Sequence, residues 1–205
     1  MAAELVTGVD AIDSVVRRVD RTIWIVTSAE GAHRRSGLVA TWVASASVDR
    51  QHPLMLVGLA PNHYTCELVM ASGAVALHLL ARENIKIAWN FCLSSGRVED
   101  KFAGVLLRER ESGPPLLADC LALVDCRVVD AWDIGDRVFF AVEPLAAWSS
   151  GCLDGPATES DLISSATPEQ LAALGQGLER DLGVQRPLRE GWRARAPVKG
   201  RSPSC

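Results

Sequence analysis

Two long apolar runs joined by a short polar turn most constrain how this chain can fold. The runs are LALVDCRVVDAW at 121–132 and RVFFAVEPLAAW at 137–148, and the tetrapeptide DIGD falls between them. β-Branched and aromatic residues favour strands, and a turn containing Asp and Gly between two such runs is typical of a β-hairpin. The sequence therefore predicts a long antiparallel hairpin here.

Four further runs of the same kind precede this hairpin. They are TIWIVTS at 22–28, LVATWVASASV at 38–48, LMLVGLA at 54–60 and AVALHLL at 74–80, and the polar stretch at 29–37 is predicted as the loop between the first two. No regular alternation of strand and helix separates the runs, which argues against a doubly wound parallel sheet. About six strands with short helices between them favour a mainly β fold, a closed or nearly closed, Greek-key-like antiparallel barrel, because closure leaves no long apolar edge.

Short helices are predicted around these strands. A lead-in helix is expected within 10–19, where apolar residues recur at helical spacing. A second is expected over Tyr64–Ser72, ended by Gly73, and a third after Asn84, which stands where an N-cap would. The last is expected from Thr167, which precedes a proline and stands three residues before a glutamine.

The composition divides the chain into three parts. Residues 1–20 hold the lead-in helix, 21–148 the barrel domain, and 149–205 an extension richer in Ser, Gly, Pro and charge. The end of the extension, RARAPVKGRSPSC at 193–205, is expected to be disordered, since exposed polar termini seldom order unless something ties them down.

Charge and cysteine usage narrow the partners. A formal net charge of -4 gives no broad basic field for nucleic acid or an anionic membrane. No apolar run approaches the roughly 20 residues that span a bilayer, and the first residues carry acids instead of a basic leader, so a cytoplasmic location is expected. The six cysteines form no CxxC pair and the four histidines no close pair, so no metal site is predicted and most cysteines are expected to be buried.

The common nucleotide-binding and hydrolase signatures (GxGxxG, GxxxxGK[ST], HExxH, GxSxG) are absent from the sequence. The functional signal lies instead in a series of short motifs. In chain order the motifs are Ile25-Val26-Thr27, Gly37 to Trp42, Ser45 to Ser47, Pro53-Leu54, Tyr64-Thr65, Ser72-Gly73 to Leu79 and Asp100-Lys101-Phe102. Their order and spacing resemble the flavin reductase-like family over about residues 20–148. The resemblance implies an FMN-binding split β-barrel.

The resemblance also implies where a flavin would lie. The residues expected to flank the isoalloxazine ring and ribityl chain are Val39, Ala40, Thr41, Trp42, Ser45, Ala46 and Ser47. The residues expected to approach the phosphate are Asn62, His63, Tyr64 and Thr65, with Lys101 contacting the phosphate or the ring edge. Small side chains let backbone groups reach the polar edge of a flat ring, and a helix beginning near Thr65 would direct free N–H groups at the phosphate.

Several of these residues also have a purely structural interpretation. Ser45 and Ser47 would then lie on the solvated face of an alternating strand, and Thr65 would be an ordinary N-cap. Lys101 would be a surface lysine opposing Asp100.

Two positions depart from the family pattern. Many flavin reductases carry Gly-Asp-His in the last hairpin, with the histidine near the nicotinamide side of the flavin, where this chain has Gly135-Asp136-Arg137. Arginine stays charged and cannot shuttle a proton near neutral pH, so Arg137 is a candidate for an anion contact on that side. His78 replaces the usual Asn and is predicted to be a buried imidazole without a catalytic role. Arg34 and Arg35 are predicted as solvated loop charges.

The resemblance implies an FMN-binding oxidoreductase of the NAD(P)H:flavin reductase type, in which hydride moves through flavin N5. FMN is the expected cofactor, with FAD as the alternative, and NAD(P)H the expected co-substrate. A second hypothesis is a non-catalytic FMN-binding or electron-transfer partner of a monooxygenase or another redox protein, and a third is a barrel scaffold that has lost flavin. A homodimer is implied in the flavin-using cases, since family members build the pocket at a subunit interface.

Overall fold

A computed structural model describes residues 8–31, 33–151 and 155–195. One antiparallel sheet contains seven strands in the order β2-β1-β5-β6-β7-β4-β3. The strands are β1 Trp24–Glu30, β2 Arg34–Ala40, β3 Val43–Ser45, β4 Met55–Leu59, β5 Ala74–Leu79, β6 Ala122–Asp133 and β7 Val138–Ser149. The predicted β6–β7 hairpin is therefore confirmed, and so is the mainly β, antiparallel fold.

The two edge strands of this sheet are consecutive in the chain. Strand β2 pairs with β1, whereas β3 pairs with β4 on the other side of the barrel. The chain crosses between them at Thr41 and Trp42, so the single strand predicted over 38–48 is wrong. This break brings the two ends of the sheet together and makes seven strands where the sequence predicted about six.

Strand β1 is buried on both faces, which explains its nearly continuous apolar run. Val26 packs in a cluster with Val57, Leu77 and Phe140, and its neighbour Ile25 packs in a second cluster on the opposite face. Successive side chains in a strand point to opposite faces, so a strand between two cores loses the apolar–polar alternation.

The first hairpin is tighter than the predicted loop at 29–37. Strand β1 continues to Glu30 and β2 already begins at Arg34, so Arg34 and Arg35 are strand residues and the loop prediction was wrong. Gly31, with a φ of +67°, allows the short turn. Arg34 pairs with Glu30 across the hairpin. The ion pair allows charged residues to stand at the exposed end of each strand.

Helices surround the sheet. Their bounds are α1 Val9–Val16, α2 Tyr64–Ser72, a 3₁₀ helix Arg82–Ala88 that continues into α3 Trp89–Cys92, α4 Glu159–Ser164 and α5 Pro168–Arg195. Helix α2 has the predicted bounds, and Gly73 ends it in the left-handed conformation. The prediction for Asn84 was wrong, because the 3₁₀ helix begins at Arg82 and Ala81 stands at its N-cap position. Helix α1 forms but buries none of its residues.

The chain beyond β7 packs against the barrel. Thr158 bridges to Thr22, Pro156 bridges to Ala81, and Ala157 between them is fully buried. Thr167 and Gln170 exchange the hydrogen bonds of the predicted capping box at the start of α5. Of the tail predicted to be disordered, 193–195 are helical, and 196–205 lie outside the described residues. None of the helices in the described ranges is long and apolar enough to cross a membrane.

Three cysteines, Cys66, Cys120 and Cys126, are buried as predicted, and Cys92 is half-buried. Burial raises the pKa of the Cys66, Cys92 and Cys126 thiols to about 12. These thiols are therefore neutral and act as small apolar groups. The predictions for Cys152 and Cys205 fall outside the described residues.

Candidate functional site

A cavity of about 520 Å³ opens between the barrel and the C-terminal helices. Its walls come from β2, the start of α2, the segment after α3, and helices α4 and α5. Seven residues that the sequence analysis singled out line it: Val39, Thr41, Asn62, His63, Tyr64, Thr65 and Lys101. Residues that lie far apart in the chain therefore meet at one place, and this place is a concave one.

The other predicted flavin contacts lie away from this cavity. Ala40 is buried in the barrel core, since it points to the opposite face of β2 from Val39. Ser45 and Ala46 are exposed at and just after β3, and Ser47 is half-exposed beyond them. Trp42 stacks on Phe139 with ring centroids 6.0 Å apart. The break after β2 thus directs Trp42 and the side chains of 45–47 to a surface outside the cavity.

A pair of hydroxyl groups forms the floor of the cavity at the start of α2. Thr65 is 2% exposed, and its Oγ1 donates a hydrogen bond of 3.1 Å to Oγ of Ser36. Thr65 is the second residue of the helix and His63 precedes the first, so the N-cap interpretation of Thr65 was wrong. A Cβ at Gly96 would lie 2.4 Å from the Ser36 Oγ, so this wall requires glycine. Sequence reasoning missed Ser36 and Gly96 because neither belongs to a recognisable motif.

Lys101 is buried beside β2 and is no surface lysine, so that interpretation was wrong. Its Nζ donates hydrogen bonds of 3.0 Å to the Gly37 carbonyl and 3.1 Å to the Phe91 carbonyl. Burial lowers the pKa of Lys101 to about 8. Asp100, its supposed partner, pairs with Arg35 at 2.9 Å instead. Lys101 therefore ties β2 to α3, and it forms part of the cavity wall.

Helix α5 forms the outer wall of the cavity, which sequence reasoning did not foresee. Asp181 accepts hydrogen bonds from Asn62 Nδ2 at 2.8 Å and pairs with His63 Nε2 at 2.9 Å. Gln185 is 6% exposed and donates to the Asn62 Oδ1 at 3.1 Å. These partners are more than a hundred residues apart in the chain, and no local pattern announces them.

Arg137 lies outside the cavity, beneath α5. Its guanidinium sits 4.6 Å from the centre of the Trp42 ring and donates to the Gln185 Oε1 at 2.6 Å. Burial lowers the pKa of Arg137 from its ordinary value, although an arginine in these surroundings keeps its charge. The residue that replaces the family histidine is thus held by a stacking contact and by a helix of this chain.

The lining of the cavity fits a flavin nucleotide. Hydroxyls from Ser36 and Thr65 and cationic groups from Lys101 and Arg180 provide donors for a phosphate and a polyol chain. The first turn of α2 adds backbone N–H groups that have no partner within the helix. Apolar side chains such as Val39, Phe91 and Leu162 give the remaining walls, and cofactor sites commonly measure roughly 300–1,000 Å³.

The fold and this amphiphilic cavity beside a helix start define a split β-barrel of the flavin-binding class. More narrowly, the chain belongs to the flavin reductase-like domain family, whose model matches residues 16–159. The match includes every sequence-predicted site residue and ends at the first residue of α4, so helix α5 lies beyond it.

Individual relatives and solved structures similar to this chain carry names of flavin reductases or flavin oxidoreductases. The FMN reductase (NADH) RutF 2 of Methylorubrum extorquens is 33% identical over 59% of this chain and 70% of its own length. A Rhizobium meliloti protein named "Probable flavin reductase" is 30% identical over 63% of this chain and 40% of its own length. The NADH:FAD oxidoreductase SgcE6 of Streptomyces globisporus superposes with a TM-score of 0.67 over 78% of this chain and 94% of that protein, at 24% identity.

Some curated relatives are much longer than the region they share with this chain. The chain spans 23% of one of them and 54% of another.

Proposed function

We propose that this chain is a flavin-dependent oxidoreductase of the NAD(P)H:flavin reductase type and that it binds FMN in the cavity between β2, α2 and α5. The observation that carries the proposal is the convergence of seven sequence-predicted flavin contacts on one cavity in a member of this family. The names of the relatives, FMN reductase and NADH:FAD oxidoreductase, support NADH as electron donor and leave FAD as the alternative flavin.

In this proposal the cavity residues hold the nucleotide at two ends. Val39 and Thr41 flank the ring, while Thr65 and the first turn of α2 receive the phosphate. Flavin, when bound, supplies the centre that accepts a hydride from NAD(P)H. In this proposal the chain's own residues orient the ring and exclude water from one side of it, and none of the described residues acts as an acid or base in the hydride transfer.

We further propose that the active form is a homodimer. Trp42, Ser45, Ala46 and Ser47 lie on a surface next to the cavity but do not line it. Trp42 remains 36% exposed, and Val48, which directly follows Ser47, is fully exposed. A second chain packed on this surface would cover the apolar side chains of Trp42 and Val48. It would also bring the predicted contacts that do not line this chain's own cavity next to the flavin bound by the partner.

The direct test of the flavin proposal is a titration of the purified chain with FMN, followed by addition of NADH or NADPH. We expect the chain to bind FMN and to oxidise at least one nicotinamide nucleotide. Thr65→Val removes the cavity hydroxyl and is expected to weaken FMN binding about tenfold, since hydrogen bonds to charged groups contribute roughly 1.5–3 kcal/mol.

Thr27→Val is the matched control for that variant. Thr27 is also buried, and its hydroxyl donates to the Pro115 carbonyl at 2.7 Å, but it does not line the cavity. Thr27→Val should lower the free energy of unfolding by about as much as Thr65→Val and leave the affinity for FMN unchanged. A chain that neither takes up FMN nor oxidises either nicotinamide would overturn the proposal.

A second candidate function is that of a non-catalytic FMN-binding protein that passes electrons to a monooxygenase or another redox protein. The observation that favours it is the state of Arg137, which replaces the family histidine and is engaged by Gln185 of α5. Tight FMN binding without steady-state oxidation of NADH or NADPH would support this alternative, and rapid turnover would exclude it.

A further inference from the structure

The charged side chains that line the cavity differ in how far they are already satisfied. Glu159 accepts two hydrogen bonds from Arg21, at 2.7 and 3.1 Å. Asp181 is engaged by Asn62 and His63. Lys101 directs two of its donors to backbone carbonyls. Glu159 and Asp181 are carboxylates and would repel an anion, and Lys101 has only one of its three N–H donors left, so none of these groups can be the main partner of an anionic ligand.

Arg180 is different. It lines the cavity from helix α5, and its side chain makes no hydrogen bond or ion pair with any residue in the part of the chain that the structure describes. Its five N–H donors match the geometry of a phosphate, which they bind in pairs.

The backbone of Arg180 is held close to the proposed phosphate site. The next residue, Asp181, is hydrogen-bonded to Asn62 and His63, which directly precede helix α2. This contact fixes the turn of α5 that carries Arg180 against the end of α2 where N–H groups are free. A cation and a helix start therefore face the same cavity from two different elements.

We propose that Arg180 is a specificity-determining residue that binds the phosphate of the nucleotide and so selects FMN over riboflavin. The inference rests on the proposed function, because it assumes that a flavin enters this cavity. It goes further because Arg180 lies in a helix outside the region that matches the family model, so the family match does not account for the contact.

The test compares two ligands that differ only in the phosphate. FMN and riboflavin are titrated into the wild type, Arg180→Gln and Arg186→Gln, and binding is followed by quenching of flavin fluorescence. Arg186 is the matched control, since it is exposed on the same helix but does not line the cavity. We expect Arg180→Gln to weaken FMN binding about tenfold and to leave riboflavin binding unchanged, and Arg186→Gln to change neither.

The outcomes separate this inference from the proposed function. If the wild type binds FMN and Arg180→Gln binds it equally well, the inference is wrong and the proposed function stands. If Arg180→Gln weakens FMN and riboflavin to the same extent, Arg180 acts through the packing of α5 and the inference is again wrong. If the wild type binds neither flavin, the proposed function itself fails.

Discussion

At the residue scale, His78 shows how a buried polar group can be fully satisfied by hydrogen bonds within the fold. The residue is 0% exposed, as predicted. Its Nε2 accepts a hydrogen bond of 3.1 Å from the Leu117 N–H, which leaves Nδ1 to donate to the Ile25 carbonyl at 2.9 Å. The ring is therefore held as one neutral tautomer that joins β5 to β1 and to the segment before β6.

Burial lowers the pKa of His78 to about 4, against an ordinary value of 6.5. Between these two pH values the unfolded chain binds a proton at this side chain and the folded chain does not. The stability that depends on neutral His78 is therefore fully present above pH 6.5 and is lost as the pH falls towards 4.

His78→Phe tests this description. At pH 7 the variant should be less stable by about 1–3 kcal/mol, since Leu117 N–H and the Ile25 carbonyl lose their partner. Between pH 7 and pH 4.5 the wild type should lose more stability than the variant, as measured by urea denaturation. His33→Phe, at an exposed position, should keep the wild-type pH dependence. Parallel pH profiles for wild type and His78→Phe would contradict the buried neutral imidazole.

At the scale of elements, helix α5 docks closely on the β6–β7 hairpin. Gly135 has a φ of +98°, and a Cβ there would lie 2.8 Å from the Leu188 carbonyl oxygen. Arg189 donates from Nη1 to the Ile134 carbonyl at 2.7 Å. The turn residue thus serves two purposes, since it reverses the chain and lets the helix backbone come close.

Gly135→Ala is expected to destabilise the chain and to loosen α5. The left-handed conformation and the overlap with the helix backbone together should lower the free energy of unfolding by about 2–4 kcal/mol. Trypsin should then cleave the arginines of α5 faster than in the wild type, as followed by mass spectrometry. Faster cleavage would show that this contact holds the helix.

Gly31→Ala is the control for backbone strain alone. Gly31 also has a positive φ, but a Cβ there would meet no atom of the described residues within 4 Å. This variant should lower the free energy of unfolding by about 1–2 kcal/mol and leave the cleavage of α5 unchanged. Equal cleavage rates in the two glycine variants would contradict the role given to Gly135.

At the scale of the whole molecule, the surface around the break between β2 and β3 should hold a second chain. Light scattering is expected to give a mass twice the 22.0 kDa of one chain. Val48→Glu should shift this mass towards the monomer, because it places a charge among apolar groups that the partner would cover. Val98→Glu, at a site 79% exposed after α3, should leave the dimer intact. A monomeric wild type would count against the proposed dimer.

The elements that the sequence predicted well are those whose signals are local. Helix α2 has the predicted bounds because a left-handed glycine must follow its last turn, and the β6–β7 hairpin forms where two apolar runs flank a turn. The first hairpin was predicted less well, because Arg34 and Arg35 read as loop residues until their partners Glu30 and Asp100 are in place. Propensity describes a residue's average environment, and an ion pair changes that environment.

From the sequence alone follow the antiparallel barrel, most of its strands, the family, and the group of residues from which the candidate site is drawn. Only the tertiary structure decides which of these residues share a cavity. Thr65 meets Ser36 across 29 positions, Lys101 meets Gly37 across 64, and Asp181 meets Asn62 across 119. The free energy of such contacts depends on how whole elements pack, so no local pattern around Trp42 or in α5 reveals that Trp42 turns away from the cavity while Arg180 faces it.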